Sequence, residues 1–518
     1  MPGPRRSPVS YPPLLVVILA AAFVFRGSLA YFFSADDFVW LARARGIAPH
    51  PGGLWRWLSG TAYFALMRPF GLDAFPYHAV NLATHAACAG LLFTLLRRRF
   101  GARAALVGAT FFAVHPSLYT AVYWISTINE SLALLFALLV IACAARPGPV
   151  AWAAVPLFAL SLLAKETTLL LPVALWIAPG WLDDPVGPAA RRQRTRVRIA
   201  LAAVAAAYLA QWLWTDAFGT RSHLQGTAPY AVSIGLHVIF NAFSYLGWTV
   251  GMLLPTTRRF EDIAEPGLWP WALAAAAIWI GGLFSQRLRA KGWLAGGVTY
   301  AALLAPVIAL RNHTYHYYLY APLIGASWCM AALVDLALPA RAAAPAQRSG
   351  RAARAAARGT SIAWPVTAVV VVFLVLNGES LVSKIEQMPF VDERLRADPV
   401  VDRARIARRV YDGLTAAALP AGAALVFWSP SSMRYERRVH PNADVIGKET
   451  YWERNVRAAL QDGLAVRVMI PQADSVEFVH AFRPAGANAR FVLYDPDGTV
   501  SVATPAHVDS MLRATAAP

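Results

Sequence analysis

The sequence predicts an α-helical polytopic membrane protein of about eleven spanning helices, followed by a small C-terminal α/β extracytoplasmic domain. Three observations carry that prediction. Apolar runs of about 15–22 residues recur from Tyr11 to Asn377, near the length needed to cross a hydrocarbon core of about 30 Å. Only 15% of the residues are charged and 57% are hydrophobic, whereas a soluble domain carries about a quarter charged residues. After Asn377 the apolar runs stop and a polar segment continues to Pro518. The expected units are therefore a transmembrane part, 1–378, and a separate domain, 379–518.

The net charge of +18 suggests a nucleic-acid partner until it is divided along the chain. Residues 379–518 hold 17 Lys/Arg and 17 Asp/Glu, so the tail is neutral and the surplus lies in the transmembrane part. There, 20 of the basic residues and only 2 acidic ones fall in six short segments: 1–11, 97–103, 145–150, 181–198, 285–292 and 338–360. Basic residues bunched in short loops between apolar spans mark the cytoplasmic side. The charge thus reports topology, and no nucleic-acid partner is expected. Cys88, Cys143 and Cys329 each sit inside an apolar run and read as small buried hydrophobes, with no disulfide framework or CxxC metal signal.

Placing residues 1–11 inside lets the spans be threaded in order. Span 1 (about 12–33) follows Arg5-Arg6 and ends in Ser28-Leu29-Ala30, a pattern like a signal peptide; further spans follow, so it reads as a retained helix. It exits at Ser34-Ala35-Asp36-Asp37. Span 2 (about 77–96) returns to Arg97-Arg98-Arg99, span 3 (about 103–118) exits at His115-Pro116, and span 4 (about 129–145) returns to Arg146. Spans 5 and 6 (about 150–164 and 167–180) form a hairpin tipped by Lys165-Glu166, and span 7 (about 199–216) exits again. The run 235–255 looks like another span, but a crossing there would put Arg287, Arg289 and Lys291 outside. Pro255, Asn241 and Ser244 fit a re-entrant or interfacial segment instead. Spans 8 to 11 (about 269–284, 293–310, 317–337 and 361–378) then alternate and leave the tail outside.

Within the tail, Ala423–Trp428, Leu464–Ile470 and Phe491–Tyr494 read as strands, and Asp495-Pro496-Asp497-Gly498 as a turn. Residues 451–461 read as an amphipathic helix. No catalytic motif stands out in this part.

The threading used only loop charge, yet it delivers the ionisable residues of the spans to one side. Asp36 and Asp37 open the first outer loop, His115 ends span 3, Lys165 and Glu166 tip the hairpin, and Arg311–Tyr320 joins spans 9 and 10. Ionisable groups at membrane depth are costly and face a cavity or one another. Carboxylates, a lysine, an arginine and histidines at one interface suit a lipid phosphate. Each also has a plainer reading: a solvated loop start for Asp36-Asp37, a snorkelling lysine for Lys165, a helix terminus for His115-Pro116, and an aromatic belt for Arg311–Tyr320. In span 2, His78, Asn81 and His85 share a helix face, where an interhelical hydrogen-bond stripe is the stronger reading than a ligand set. Arg26 and Glu130 are candidate partners in an ion pair.

The order of these features resembles the GT-C superfamily of membrane glycosyltransferases, particularly the protein O-mannosyltransferase-like enzymes and their TMTC-type relatives. The resemblance rests on Asp36-Asp37 after span 1, Tyr77-His78-x-x-Asn81-x-x-x-His85, His115-Pro116 with Tyr123-Trp124-Ile125-Ser126, Leu163-Ala164-Lys165-Glu166, and Tyr318-Leu319-Tyr320-Ala321-Pro322. It covers about residues 12–337. The tetratricopeptide repeats of animal TMTC proteins have no 34-residue counterpart here. The resemblance implies transfer of a sugar from a polyprenyl-phosphate donor to an acceptor hydroxyl outside the cytoplasm. Asp36 aligns with the first residue of the family's acidic pair and would be the general base, with Asp37 orienting it or the acceptor. A leaving phosphate needs fixed positive charge, expected from Lys165 first and Arg311 second. His115, Glu166, His316 and Tyr320 would line the donor or acceptor pocket. Some GT-C enzymes hold a metal between acidic residues and the mannosyltransferase branch does not; a single Asp-Asp pair favours no metal and no other cofactor. The acceptor, whether protein, lipid or glycan, stays open. So do two alternatives, a ligase or polymerase of lipid-linked glycans and a transporter or flippase of a lipid-linked saccharide. The Ala- and Arg-rich composition fits a bacterial inner membrane, with the N-terminus cytoplasmic and the C-terminal domain periplasmic.

Overall fold

The computed structural model describes residues 11–50, 54–182, 187–218, 231–251, 268–311, 313–338, 351–387, 399–417, 419–439, 449–483, 485–486 and 488–516. Arg5-Arg6, Pro255 and Asn312, which the threading or the motifs used, lie outside the described residues. In chain order the helices are α1 Tyr11–Val24, α2 Asp36–Ala44, α3 Tyr63–Met67, α4 Phe75–Arg99, α5 Ala102–Ala113, α6 Tyr119–Tyr123, α7 Ile128–Ala144, α8 Ala154–Ala164, α9 Leu171–Ile177, α10 Gly187–Phe218 and α11 Leu236–Gly251. They continue with α12 Trp269–Phe284, α13 Gln286–Ala290, α14 Trp293–Ile308, α15 Leu323–Ala337, α16 Arg351–Glu386, α17 Pro399–Ala416, α18 Ser432–Val439, α19 Tyr451–Ala459, α20 Leu464–Met469 and α21 Pro505–Ala516.

Each of the eleven expected spans falls on an apolar helix. Among the described residues, four helices are long and apolar enough to cross a membrane by themselves: Phe75–Arg99, Ile125–Ala144, Gly187–Thr215 and Ala363–Lys384. Ala102–Ala113 and Pro116–Tyr123 meet the same test as a pair bent by 45°; Pro116 lacks the amide that would continue the helix through the break. The other six spans fall on apolar helices of 10–17 residues. Residues 236–251, the segment expected to be re-entrant, form α11. It is tied to the loop after α14 by the Asn241 carboxamide, which donates to the carbonyls of Ile308 (2.9 Å) and Leu310 (3.1 Å).

The described parts of three basic loops, around Arg99, Lys291 and Leu338, meet at one end of the bundle. Arg99 donates to the carbonyl of Ala290, Arg103 to that of Leu338, and Lys291 pairs with Asp335. At the other end, α1 stops at Val24, short of the expected boundary. Arg26 then forms a bidentate pair with Glu379 of α16 (2.9 and 2.7 Å). The suggested Arg26–Glu130 pair does not form, because Glu130 is taken by Lys165. The helix α16 runs on to Glu386, across the boundary expected at 378.

Residues from 399 onward build the α/β part around a four-stranded sheet of order β2-β1-β3-β4. The strands are β1 Ala424–Trp428, β2 Ser475–Val479, β3 Ala489–Tyr494 and β4 Val500–Ala503. β1 runs parallel to both β2 and β3, with Leu425 opposite Val476 and Arg490, and β4 returns antiparallel to β3. The predicted turn closes that hairpin: Asp495 and Thr499 bond across it at 3.0 Å. The expectation of a strand at Leu464–Ile470 is corrected. This run is α20, with Ala465, Val466, Val468 and Met469 buried and Arg467 exposed. Burial at i, i+1, i+3 and i+4 is a helical stripe, which a short apolar run does not distinguish from a buried strand. The strand the sequence hid is β2, whose alternating Ser475, Glu477 and Val479 sit at the sheet edge.

Three apolar cores result. The first is the helical bundle. The second joins Phe33, Phe38, Trp40 and Leu41 of the first outer loop to Ile406, Val410, Val466 and Val468 of the C-terminal part. A third lies under the other sheet face against Val508 of α21.

Candidate active site

The pair Asp36-Asp37 begins α2, and the helix geometry separates the two side chains. Asp37 is 1% exposed. Its carboxylate accepts from the amide of Ser34 (2.8 Å), the amide of Ser126 (2.7 Å) and the Ser126 hydroxyl. Burial pushes its pKa up to about 7, against those hydrogen bonds, which favour the charged form. Asp37 therefore locks the start of α2 to the Trp124–Thr127 turn, with Trp124 Nε1 donating to the Ser34 carbonyl at 3.1 Å. Asp36 is solvent-exposed. Protein crowds its carboxylate closely enough to raise its pKa, while Arg56, Arg403 and Arg43 and a hydrogen bond from Gln461 pull it back. Asp36 is thus the member of the pair that a substrate can reach.

Arg56 brings the second charge. It stands at φ +48°, a left-handed conformation rare for a side-chain-bearing residue, and opens a π-helical turn over Trp57–Ala62. Wide turns of this kind concentrate at functional sites. Gly60 lets this turn press against the Trp40 ring, since a Cβ there would come within 2.3 Å of it. Arg43 lies over Trp40, Trp40 stacks on Trp55 at 6.0 Å, and Arg56 lies over Trp55 at 4.6 Å. This column fixes Arg56 relative to α2, and hence to Asp36. Across the turn, Ser59 donates to the Ala164 carbonyl at 2.7 Å, and Arg56 pairs with Glu166 at 3.2 Å.

Arg56 and Glu166 line a cleft of about 200 Å³ with Trp55, Tyr208, Trp212 and Tyr318. Through Leu169 and Leu209 the cleft continues into a groove of about 340 Å³ between α9 and α10. The groove is lined by apolar side chains, among them Val173, Trp176, Ala202 and Ala206. A charged head beside an apolar trough is the shape of an amphiphile.

The other predicted site residues fall into two groups. Lys165 is brought to this region but is sealed: it is 3% exposed and its Nζ lies 2.6 Å from Glu130. Its Nζ lies 4.9 Å from the Tyr318 ring, which lines the cleft. Arg311 is exposed beside Leu310 of the cleft, with its amide bonded to the Ala231 carbonyl. His115, His316 and Tyr320 are buried and do not line the cleft. His115 bonds the Thr249 carbonyl and the Ser117 amide, His316 bonds Thr120, and Tyr320 bonds His85. Asn81 donates to the Val122 carbonyl at 3.0 Å and accepts from Ser131, and His85 bonds Tyr320 and the Ala113 carbonyl, so these two members of the span 2 stripe make interhelical hydrogen bonds. Arg56 itself escaped the sequence reading. The signal for it was Trp55-Arg56-Trp57, a cation between two interfacial aromatics. Among the described residues no group of three or more His, Cys, Asp or Glu is arranged to hold a metal ion.

No protein-family model matches the chain, and no curated protein matches it. Solved structures similar to it include ArnT from Cupriavidus metallidurans bound to undecaprenyl phosphate, at 13% identity and a TM-score of 0.49, covering 92% of each chain. The same protein in its apo state matches at 14% identity and a TM-score of 0.44, covering 80% of this chain and 82% of that one. The archaeal oligosaccharyltransferase AglB from Archaeoglobus fulgidus, in complex with an inhibitory peptide and a dolichol-phosphate, matches at 11% identity and a TM-score of 0.39. That match covers 81% of this chain and 63% of AglB.

Proposed function

We propose that this chain is an integral membrane glycosyltransferase that moves a sugar from a polyprenyl-phosphate donor to an acceptor hydroxyl. One observation carries the reading: Arg56, whose charge acts on the exposed carboxylate of Asp36, lines a cleft that opens into an apolar groove. The donor's isoprenoid tail occupies the α9–α10 groove and its phosphate meets the Arg56 guanidinium, which the bond to Glu166 holds in place. Asp36 takes the proton of the acceptor hydroxyl as that oxygen bonds to the anomeric carbon. The bond from that carbon to the phosphate oxygen breaks, and the polyprenyl phosphate leaves with its added negative charge facing Arg56. In-line displacement of this kind inverts the anomeric centre. Arg56 takes over the role that the sequence suggested for Lys165, because it is the cation whose side chain lines the cleft.

The same reading puts the cleft on the extracytoplasmic face, since the basic loops around Arg99, Lys291 and Leu338 come together at the opposite end of the bundle. In a bacterium the N-terminus would be cytoplasmic and the C-terminal domain periplasmic. A transporter is disfavoured by a charged site at one end of the bundle, because transporters bind near the midplane.

The test is sugar release from radiolabelled polyprenyl-phosphate monosaccharides by purified protein. Wild type is expected to release sugar, and Asp36→Asn to lose about 10²–10⁴-fold, the range of general-base catalysis. Arg56→Ala is expected to lose about 10²-fold or more, as when one preorganised donor to a developing charge is removed. Full activity in Asp36→Asn would remove Asp36 as the base. Bound lipid with no release from any donor would favour a glycan ligase or a transporter.

A further inference from the structure

We infer that the C-terminal domain completes the active site by supplying Gln461 as a positioning residue for Asp36. The inference rests on the reading of Asp36 as the base. The Gln461 Nε2 donates to Asp36 Oδ1 at 3.0 Å, across 425 positions of sequence. Nothing in the tail's composition marks this glutamine.

The loop that presents it is built at a conformational cost. Gln461 and Asp462 stand at φ +50° and +52°, and Gly463 follows at +93°. Two consecutive left-handed residues with side chains persist only where the surroundings over-determine them, and such strain clusters at functional sites. The surroundings here do so. Asp462 pairs with Arg457 of α19 at 3.2 Å, and the amides of Gly463 and Ala465 both bond the Leu460 carbonyl. Gly463 abuts Val476 of β2, where a Cβ would come within 2.9 Å. The helix after the loop, α20, packs on α2 itself, and Arg45, which caps the C-terminus of α2, donates to the Val468 carbonyl at 2.8 Å. Helix and loop are therefore clamped together, and the carboxamide is delivered to one oxygen of Asp36.

The consequence is chemical. A hydrogen bond to Oδ1 fixes the carboxylate's orientation and leaves Oδ2 as the oxygen that takes the acceptor's proton. It also favours the ionised form. The charged groups facing Asp36 from the packed elements are Arg43 on its own helix, Arg56 from the π-helical turn, Arg403 from α17, and its neighbour Asp37. Gln461 is the neutral member of this set, so its loss changes the ionisation of Asp36 without adding or removing a charge.

The experiment labels Asp36 in the full-length detergent-solubilised protein with a water-soluble carbodiimide and an amine across a pH series. Peptide mass spectrometry then gives the midpoint of modification. Gln461→Ala is expected to raise the midpoint by about half to one pH unit, since two to three such bonds lower a carboxylate by about 2. Gln461→Glu, with the same shape and an added negative charge, is expected to raise it further. Coincident midpoints in wild type and Gln461→Ala would overturn the inference. No donor is present, so the labelling answers even if the chain transfers no sugar, whereas the radiolabel assay alone tests the transferase reading. With an active enzyme, the acid limb of kcat against pH is expected to move with the labelling midpoint. A limb that stays while the midpoint moves would refute the catalytic consequence.

Discussion

The phosphate role expected from Lys165 first and Arg311 second falls to Arg56 in the proposed reading, while Lys165 is held in a buried ion pair. Lys165 is enclosed with Glu130, whose side chain is 1% exposed, and Thr167 donates to the other oxygen of the same carboxylate. A buried pair of this kind is strongly destabilising to break on one side, by about 3–5 kcal/mol, because the remaining charge is left buried and uncompensated. Lys165→Ala and Glu130→Ala should each lower the melting temperature and the yield of folded protein. Lys165→Met with Glu130→Gln should recover most of that loss, and its donor KM should change far less than that of Arg56→Ala. Melting curves and donor kinetics on the four variants check this; a KM loss in the double variant equal to that of Arg56→Ala would return Lys165 to the phosphate. The sequence made the ionisable residues of this region legible, because Asp36, Asp37, Lys165 and Glu166 interrupt apolar runs. It could not reveal that Glu130 lies beside Lys165, a contact between residues 35 apart. It also concealed that the cation lining the cleft belongs to a loop with no apolar periodicity.

At the scale of elements, the groove depends on small residues along one face of α10. Ala202 and Ala206 are one helical turn apart, both exposed, and both line the groove opposite Val173 and Trp176 of α9. A bulky side chain there fills the trough without disturbing a core. Ala206→Trp is therefore expected to leave stability unchanged and to weaken long-chain donors by about 10–100-fold. That corresponds to displacing about two to three methylene-equivalents of buried tail at about 0.8 kcal/mol each. A short-chain donor, whose tail ends before the groove, should lose much less. Equal losses for both donor lengths, measured as kcat/KM, would show that the tail lies elsewhere. The elements themselves were largely legible, since every expected span carries an apolar helix. Apolar length predicts where a helix lies but not where it breaks: Pro116 marked the kink in α5–α6, whereas nothing in the apolar run marked the early end of α1 at Val24. Leu464–Ile470 was misread for a related reason: six or seven apolar residues suit a strand and a helix equally until their neighbours choose.

At the scale of the whole molecule, the second core decides what the C-terminal part is for. Phe38, Trp40 and Leu41 of the helix that carries Asp36 are packed in one cluster with Ile406, Val410, Val466 and Val468. The domain thus supplies one wall of the packing that holds α2, besides the Arg45–Val468 and Gln461–Asp36 contacts. A freely tethered acceptor-binding module would leave that helix intact on removal, and only acceptor choice would change. The shared core makes a different demand. Ending the chain at Glu386 uncovers the side of α2 that packs on the domain, where a large side chain contributes about 1.5–3 kcal/mol when fully buried. The bundle core contains none of the α2 residues, so the truncated protein is expected to insert and keep its spanning helices. Hydrogen exchange of residues 36–44 should then rise towards that of an unprotected loop, and transfer to every acceptor should fall together. Protected α2 amides with transfer redirected to other acceptors would instead make the domain a recognition module, and the packing of α2 against it would be incidental to catalysis.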